Sequence, residues 1–131
     1  MTAEPRWISK QALLILHDRS ISLHGGAAGL RDEGLLESAL GRPVNRFHYE
    51  GETDIRALAA TYLVAIASNH PFVDGNKRAA FLAAGLFLRR NGWKLIASQA
   101  DAARTVLEVA AGARDVDVLA AWIRQWSEPA T

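Results

Sequence analysis

One stretch in the middle of the chain, His70 to Arg78, reads HPFVDGNKR and gathers an imidazole, a carboxylate, a Gly-Asn turn and two cations. A helix beginning near Asn76 would leave its first backbone N–H groups without intrahelical partners. It would also set the positive end of its dipole there, and the two together favour a phosphate. Gly75 lets that backbone approach a ligand closely, and Lys77 and Arg78 can add charge-assisted hydrogen bonds to phosphate oxygens. Asp74 beside them is a hard oxygen ligand, the usual way to hold Mg2+ next to phosphates. His70 is placed to take the proton of a hydroxyl as its oxygen attacks phosphorus. Phe72, between polar neighbours, would pin the turn to the core. Each residue alone has a plainer reading: a helix-end histidine, an Asp-Gly turn, solvated cations, an Asn cap. Their coincidence between the two most apolar segments, where polar groups need a reason to be present, favours the functional one.

Those two segments are the elements that must hold the turn. Asp54 to Asn69 is apolar nearly all round from Ala57 to Ala67, as befits a central helix, and Pro71 obliges it to end near His70. Asn76 to Asn91 is the second, with a slim side at Ala83, Ala84 and Gly85. Ser9 caps a first helix with Ala12, Leu13, Leu16 and Leu23 on one face, closed by Gly25 and Gly26. Asp32 caps a short helix, Gly34 to Leu40, stopped by Gly41 and Pro43. Gly41 to Thr53 has no helical period and reads as a loop or small hairpin, a flap before the central helix. Trp93 to Ile96 reads as extended. Ser98 with Asp101 forms a variant capping box for a helix to Ala111. A last helix from near Asp115 carries Leu119, Trp122, Ile123 and Trp126 on one packed face, and Glu128 to Thr131 should fray. The expectation is an all-α, compact single-domain bundle of about six helices over residues 1–131.

The 131 residues, half of them apolar, suffice for a core without staples. With no cysteine the chain has no thiol nucleophile, zinc-thiolate site or disulfide, which fits a reducing compartment. A net charge of +1 gives no field that argues for nucleic acid. The apolar run Ala79 to Leu88, ended by Arg89 and Arg90, is far short of the roughly 20 residues a bilayer crossing requires. MTAEPRWISK has no secretory pattern, so the expected place is the cytoplasm, with no membrane partner. His17-Asp18 lacks the upstream His of a metal phosphohydrolase pair, and both residues read as exposed. His24 and His48 lack acidic partners at metal-ligand spacing, and no Walker lysine loop is present.

HPFVDGNKR resembles the signature of the Fic superfamily, specifically its death-on-curing (Doc) toxin branch. The resemblance extends through LHDRSISLHGG, LLESALGRPVNRFHYE, TYLVAIASNHPF and LFLRRNGW, roughly Leu16 to Trp93. It implies the compact six-helix fold of that family. Fic enzymes typically move AMP from ATP to a protein hydroxyl, with Gly where this chain has Lys77 and a second Arg where it has Phe81. In the Doc branch Lys replaces that Gly, and the resemblance implies that ATP sits reversed and donates its γ-phosphate to a threonine of elongation factor Tu, blocking translation. Pro71 and Gly75 match both branches, so the donor's orientation rests on Lys77 and Phe81. The resemblance further makes His70 the base, Asp74 the Mg2+ ligand, Asn76 and Lys77 phosphate binders, Arg78 a further phosphate or structural contact, and Phe72 the loop anchor. By analogy the flap, Arg42 to Thr53, would hold the target segment, with Arg46 and His48 touching it. The self-inhibitory pattern of many Fic proteins, Ser or Thr four residues before Glu-Gly or Glu-Asn, is absent at Glu33-Gly34 and Glu50-Gly51. The resemblance therefore implies inhibition in trans by an antitoxin whose partly disordered tail folds onto the toxin. AMP transfer, and a non-catalytic module that only binds an antitoxin, are the alternative readings.

Overall fold

The computed structural model describes residues 3–130. Among them run six helices: α1 Lys10–His24, α2 Glu33–Glu50, α3 Ile55–Asn69, α4 Asn76–Arg90, α5 Gln99–Ala110 and α6 Val116–Gln125. Two short strands, β1 Trp93–Leu95 and β2 Ser127–Pro129, pair antiparallel with Trp93 opposite Pro129. The all-α expectation holds, and no helix among the described residues is long and apolar enough to cross a membrane.

Helix starts follow cap chemistry. Ser9, Asp32, Asp54, Ser98 and Asp115 each accept a first-turn amide through the side chain, which satisfies donors the helix itself leaves open. The capping box at Ser98 is half formed: the Asp101 amide bonds Ser98 Oγ at 3.1 Å, while the Asp101 carboxylate turns to Arg104 and to the Trp122 indole N–H. α3 is the axis of the domain, with every residue from Ala57 to Ala67 buried except Val64. It packs against α2, α4 and α6. The buried face of α4, Ala79, Ala80, Ala83, Ala84, Phe87 and Leu88, gives it a narrow side toward its neighbours.

Three expectations are corrected. The flap is not a loop: α2 runs through Gly41 and Pro43 to Glu50. Pro43 removes an amide that would have bonded the Ala39 carbonyl, and such an interior proline costs a free helix about 3 kcal/mol. Here Pro43 lies buried between Leu36 and Ala39 on one side and Phe47 on the other, on a single face whose helical spacing continues through it. Burial of that stripe against the core outweighs the missing bond. The true stop is Gly51, left-handed at φ 72°, whose N–H bonds the Arg46 carbonyl. The C-terminal residues do not all fray, because Ser127–Pro129 pair with β1 and the Ala130 N–H reaches the Gly92 carbonyl at 2.9 Å; Thr131 lies outside the described residues. On the packed faces, Trp122 is buried but Trp126, past the end of α6, is 36% exposed and Leu23, in the last turn of α1, is 78% exposed.

Candidate active site

The turn between α3 and α4 is held from three sides. His70 ends α3 in a left-handed conformation, φ 50°, the one positive-φ non-glycine residue among those described. The turn then lies against Gly29–Asp32: Phe72 bridges Leu30, the Val73 N–H bonds the Gly29 carbonyl, and the Arg31 and Asp32 amides both bond the Pro71 carbonyl. Arg31 also donates through its guanidinium to the His70 and Asn69 carbonyls, covering the open C-terminal end of α3. From inside the turn, buried Asn76 accepts the Phe72 N–H at 2.9 Å and donates to the Phe72 carbonyl at 3.0 Å. Its amide nitrogen also lies 3.3 Å from His70 Nδ1. Asn76 is thus a brace within the turn, and the phosphate-binding role expected for it would fall to its backbone. Phe72 is 1% exposed, in keeping with an anchor.

Histidine 17 is the residue the sequence reading missed. Expected on the surface, it is 1% exposed. Its ring stacks flat on Phe72, with centroids 3.8 Å apart and planes at 5°, and its Nε2 lies 2.8 Å from the Asp74 carbonyl oxygen. A carbonyl only accepts, so Nε2 carries the hydrogen. Burial is tolerated because that bond satisfies the ring's one N–H donor. Asp18 stays on the surface as expected, with its carboxylate 4.0 Å from His17 Nδ1. The available signal was position: His17 sits on the same face of α1 as Leu13 and Ser20, both buried.

Asp74 itself is exposed at the rim. Its carboxylate accepts the Gly75 N–H at 2.8 Å and the Ala27 N–H at 3.3 Å. Those two backbone bonds, the Gly75 one foremost, hold its pKa below the ordinary 3.8, so it is ionised at neutral pH. Gly75, at φ 74°, is the N-cap of α4 and, unlike the caps of the other helices, offers no side-chain oxygen to the first turn. The first amide donors of α4 are therefore left without a side-chain acceptor, and Lys77 and Arg78 in the same turn are exposed. His70, Asp74, Gly75, Asn76, Lys77 and Arg78 together line a cleft of about 310 Å³, so all the expected catalytic and phosphate-binding residues are brought to one place. Phe81 lines an adjoining apolar groove on the α4–α5 side instead.

Among the described residues no three His, Asp or Glu side chains cluster into a metal cage. A divalent cation at Asp74 would take one carboxylate from the protein and its remaining oxygens from phosphates and water, the donor set Mg2+ commonly accepts. The exposed, ionised carboxylate beside an uncapped helix start fits that arrangement. Arg46 and His48, expected to touch a target, lie on the last turns of α2 and do not line this cleft. Arg46 donates to Thr61 Oγ1 at 2.7 Å and pairs with Glu50 and Glu52, while half-exposed His48 lies 3.5 Å from Glu4.

The family model that matches the chain is described as the Fic/DOC family and spans residues 7–88. The chain is 51% identical over 87 residues to "Protein kinase doc" of Escherichia phage P1, covering 66% of this chain and 69% of that protein. It is 40% identical over 100 residues to "Toxin Doc" of Mycolicibacterium smegmatis, covering 74% and 77%.

Proposed function

Because the chain belongs to the Fic/DOC family, we propose that it is a Doc-type toxin, an ATP-dependent phosphotransferase that modifies a Thr or Ser hydroxyl of a translation factor, elongation factor Tu. The observation that carries the reading is the single cleft in which His70, ionised Asp74 and the open start of α4 converge with Lys77 and Arg78. Two relatives named for a kinase and for a toxin support it.

In this reading the α4 amides and the Lys77 and Arg78 side chains hold the phosphates of ATP and orient the terminal one toward His70. Mg2+ at Asp74 would neutralise charge developing on the phosphate oxygens. The target hydroxyl forms a bond to the γ-phosphorus, the bond from that phosphorus to the β,γ-bridging oxygen breaks, and ADP leaves with the electron pair. The hydroxyl proton passes to the ring nitrogen of His70 that bears no hydrogen. The Asn76 contact supplies a hydrogen to Nδ1, so the resting neutral ring carries its own hydrogen on Nε2. Acceptance at Nε2 requires the other tautomer and release of that 3.3 Å contact. Lys77 and Phe81 favour γ-phosphate donation, since Lys77 crowds the place of an α-phosphate and Phe81 brings no second cation for the far phosphates.

An antitoxin that binds in trans restrains the activity in this reading, and the site of action is the cytoplasm. The test is transfer to elongation factor Tu from ATP labelled at either end. Label arriving from the γ position supports phosphotransfer, label from the α position means AMP transfer, and none from either leaves the chain a binding module.

A further inference from the structure

A buried imidazole that serves only packing is an expensive choice, because an apolar side chain would fill the same space with no polar nitrogen to satisfy. His17 is such a residue, and its one hydrogen bond reaches across from α1 to the main chain of Asp74. Two more contacts converge there. The ring lies flat on Phe72, two residues before Asp74, and a Cβ placed on Gly75 would stand 3.6 Å from His17 Nε2. The imidazole thus stacks on Phe72, bonds the Asp74 main chain and closes off the space where a side chain at Gly75 would stand. Asp74 is held at its other end by the Gly75 and Ala27 amides, so fixing its carbonyl leaves the side chain little freedom to turn.

We propose that His17 is a positioning residue, whose Nε2–H, steadied by the stack on Phe72, fixes the Asp74 carbonyl and so sets the direction in which the Asp74 carboxylate meets a metal–nucleotide ligand. The metal–nucleotide part rests on the function proposed above; the link between His17 and Asp74 does not. The site for the ligand is built from Asp74 and α4, and His17 acts on it only through the backbone, as outer partners of metal ligands do.

Two variants separate the donor from the ring. His17→Phe keeps a flat ring against Phe72 and loses the N–H; His17→Gln loses the stack and can still donate. If the donor is what matters, the Gly75 and Ala27 amides of His17→Phe exchange with solvent about tenfold faster than in the native chain. The Mg2+ concentration needed for half-maximal ATP binding also rises about tenfold. His17→Gln recovers most of both while melting lower. A role in packing alone reverses the order, with His17→Gln the worse variant by exchange and by Mg2+ demand, and that result overturns the proposal. So does a His17→Phe protein with native exchange and native Mg2+ demand. Nitrogen NMR of the native chain adds a reading that depends on no variant folding: the hydrogen of His17 is expected on Nε2, and finding it on Nδ1 refutes the bond. Exchange and tautomer are read without nucleotide. A native chain that binds no Mg2+–ATP therefore overturns the proposed function, and with it the metal role of His17, while the link to Asp74 is still decided.

Discussion

Replacing Asn76 by Ala removes the brace of the turn between α3 and α4, and its effect can be sized from the bonds lost. The flanking groups of the turn, the Pro71 carbonyl and the Val73 amide, are engaged by the Gly29–Asp32 segment. The amide and carbonyl of Phe72 instead turn to the Asn76 side chain, and Phe72 is almost wholly buried. Asn76→Ala leaves that donor and that acceptor unsatisfied away from water, at roughly 1–3 kcal/mol each. The sum, about 2–6 kcal/mol, is a large part of the roughly 5–15 kcal/mol that typically holds a domain together. At about 3–4 °C per kcal/mol for a chain of this size, Tm should fall by roughly 6–24 °C. Calorimetry measures that drop, and amide exchange should show the Phe72 N–H losing protection ahead of the α3 core. A Tm within about 2 °C of the native value, with Phe72 still protected, would refute the reasoning, because the turn would then be held without Asn76.

Other substitutions probe other parts of the site and scaffold. His70→Ala should cut phosphotransfer by about 10²–10⁴ while Mg2+-dependent ATP binding persists; an unchanged transfer rate removes His70 from the mechanism. Gly26→Ala introduces a Cβ that would stand 2.7 Å from Asp74 Oδ2 at a backbone φ of 108°, so it should lower Tm and weaken Mg2+–ATP binding together, read by calorimetric titration. Burial pushes the Asp54 pKa up, but hydrogen bonds from Arg124 and Arg56 outweigh it and leave the value below 3.8. A carboxylate depressed on folding lends stability above its unfolded pKa and loses it as pH falls through the folded one. The Tm advantage of the native chain over Asp54→Asn should therefore be full at neutral pH and shrink as acid passes below 3.8. A constant advantage across that range contradicts the assignment.

The sequence was most legible where local chemistry decides the outcome. Ser9, Asp32, Asp54, Ser98 and Asp115 start helices because their side chains satisfy first-turn amides, and HPFVDGNKR falls between the two central helices because Pro71 and Gly75 allow little else. It was least legible where distant packing overrides local preference. Gly41 and Pro43 are helix-breaking signals, yet the stripe Leu36, Ala39, Pro43 and Phe47 gains enough by burial against the core to carry α2 through them. The same extension moves Arg46 out of a supposed flap and into bonds with Thr61, Glu50 and Glu52. His17 looked superficial because its partners, Phe72 and the Asp74 carbonyl, are far along the chain and one of them is backbone, which no residue pattern marks. β2 is a strand only because β1 is beside it.

Phosphoryl transfer out of this cleft is most directly tested by the intact mass of elongation factor Tu after incubation with the chain, ATP and Mg2+. The account predicts a species heavier by one phosphoryl group, which disappears when His70 is replaced by Ala. A species heavier by one AMP, or a target of unchanged mass under conditions where the chain binds Mg2+–ATP, would contradict it.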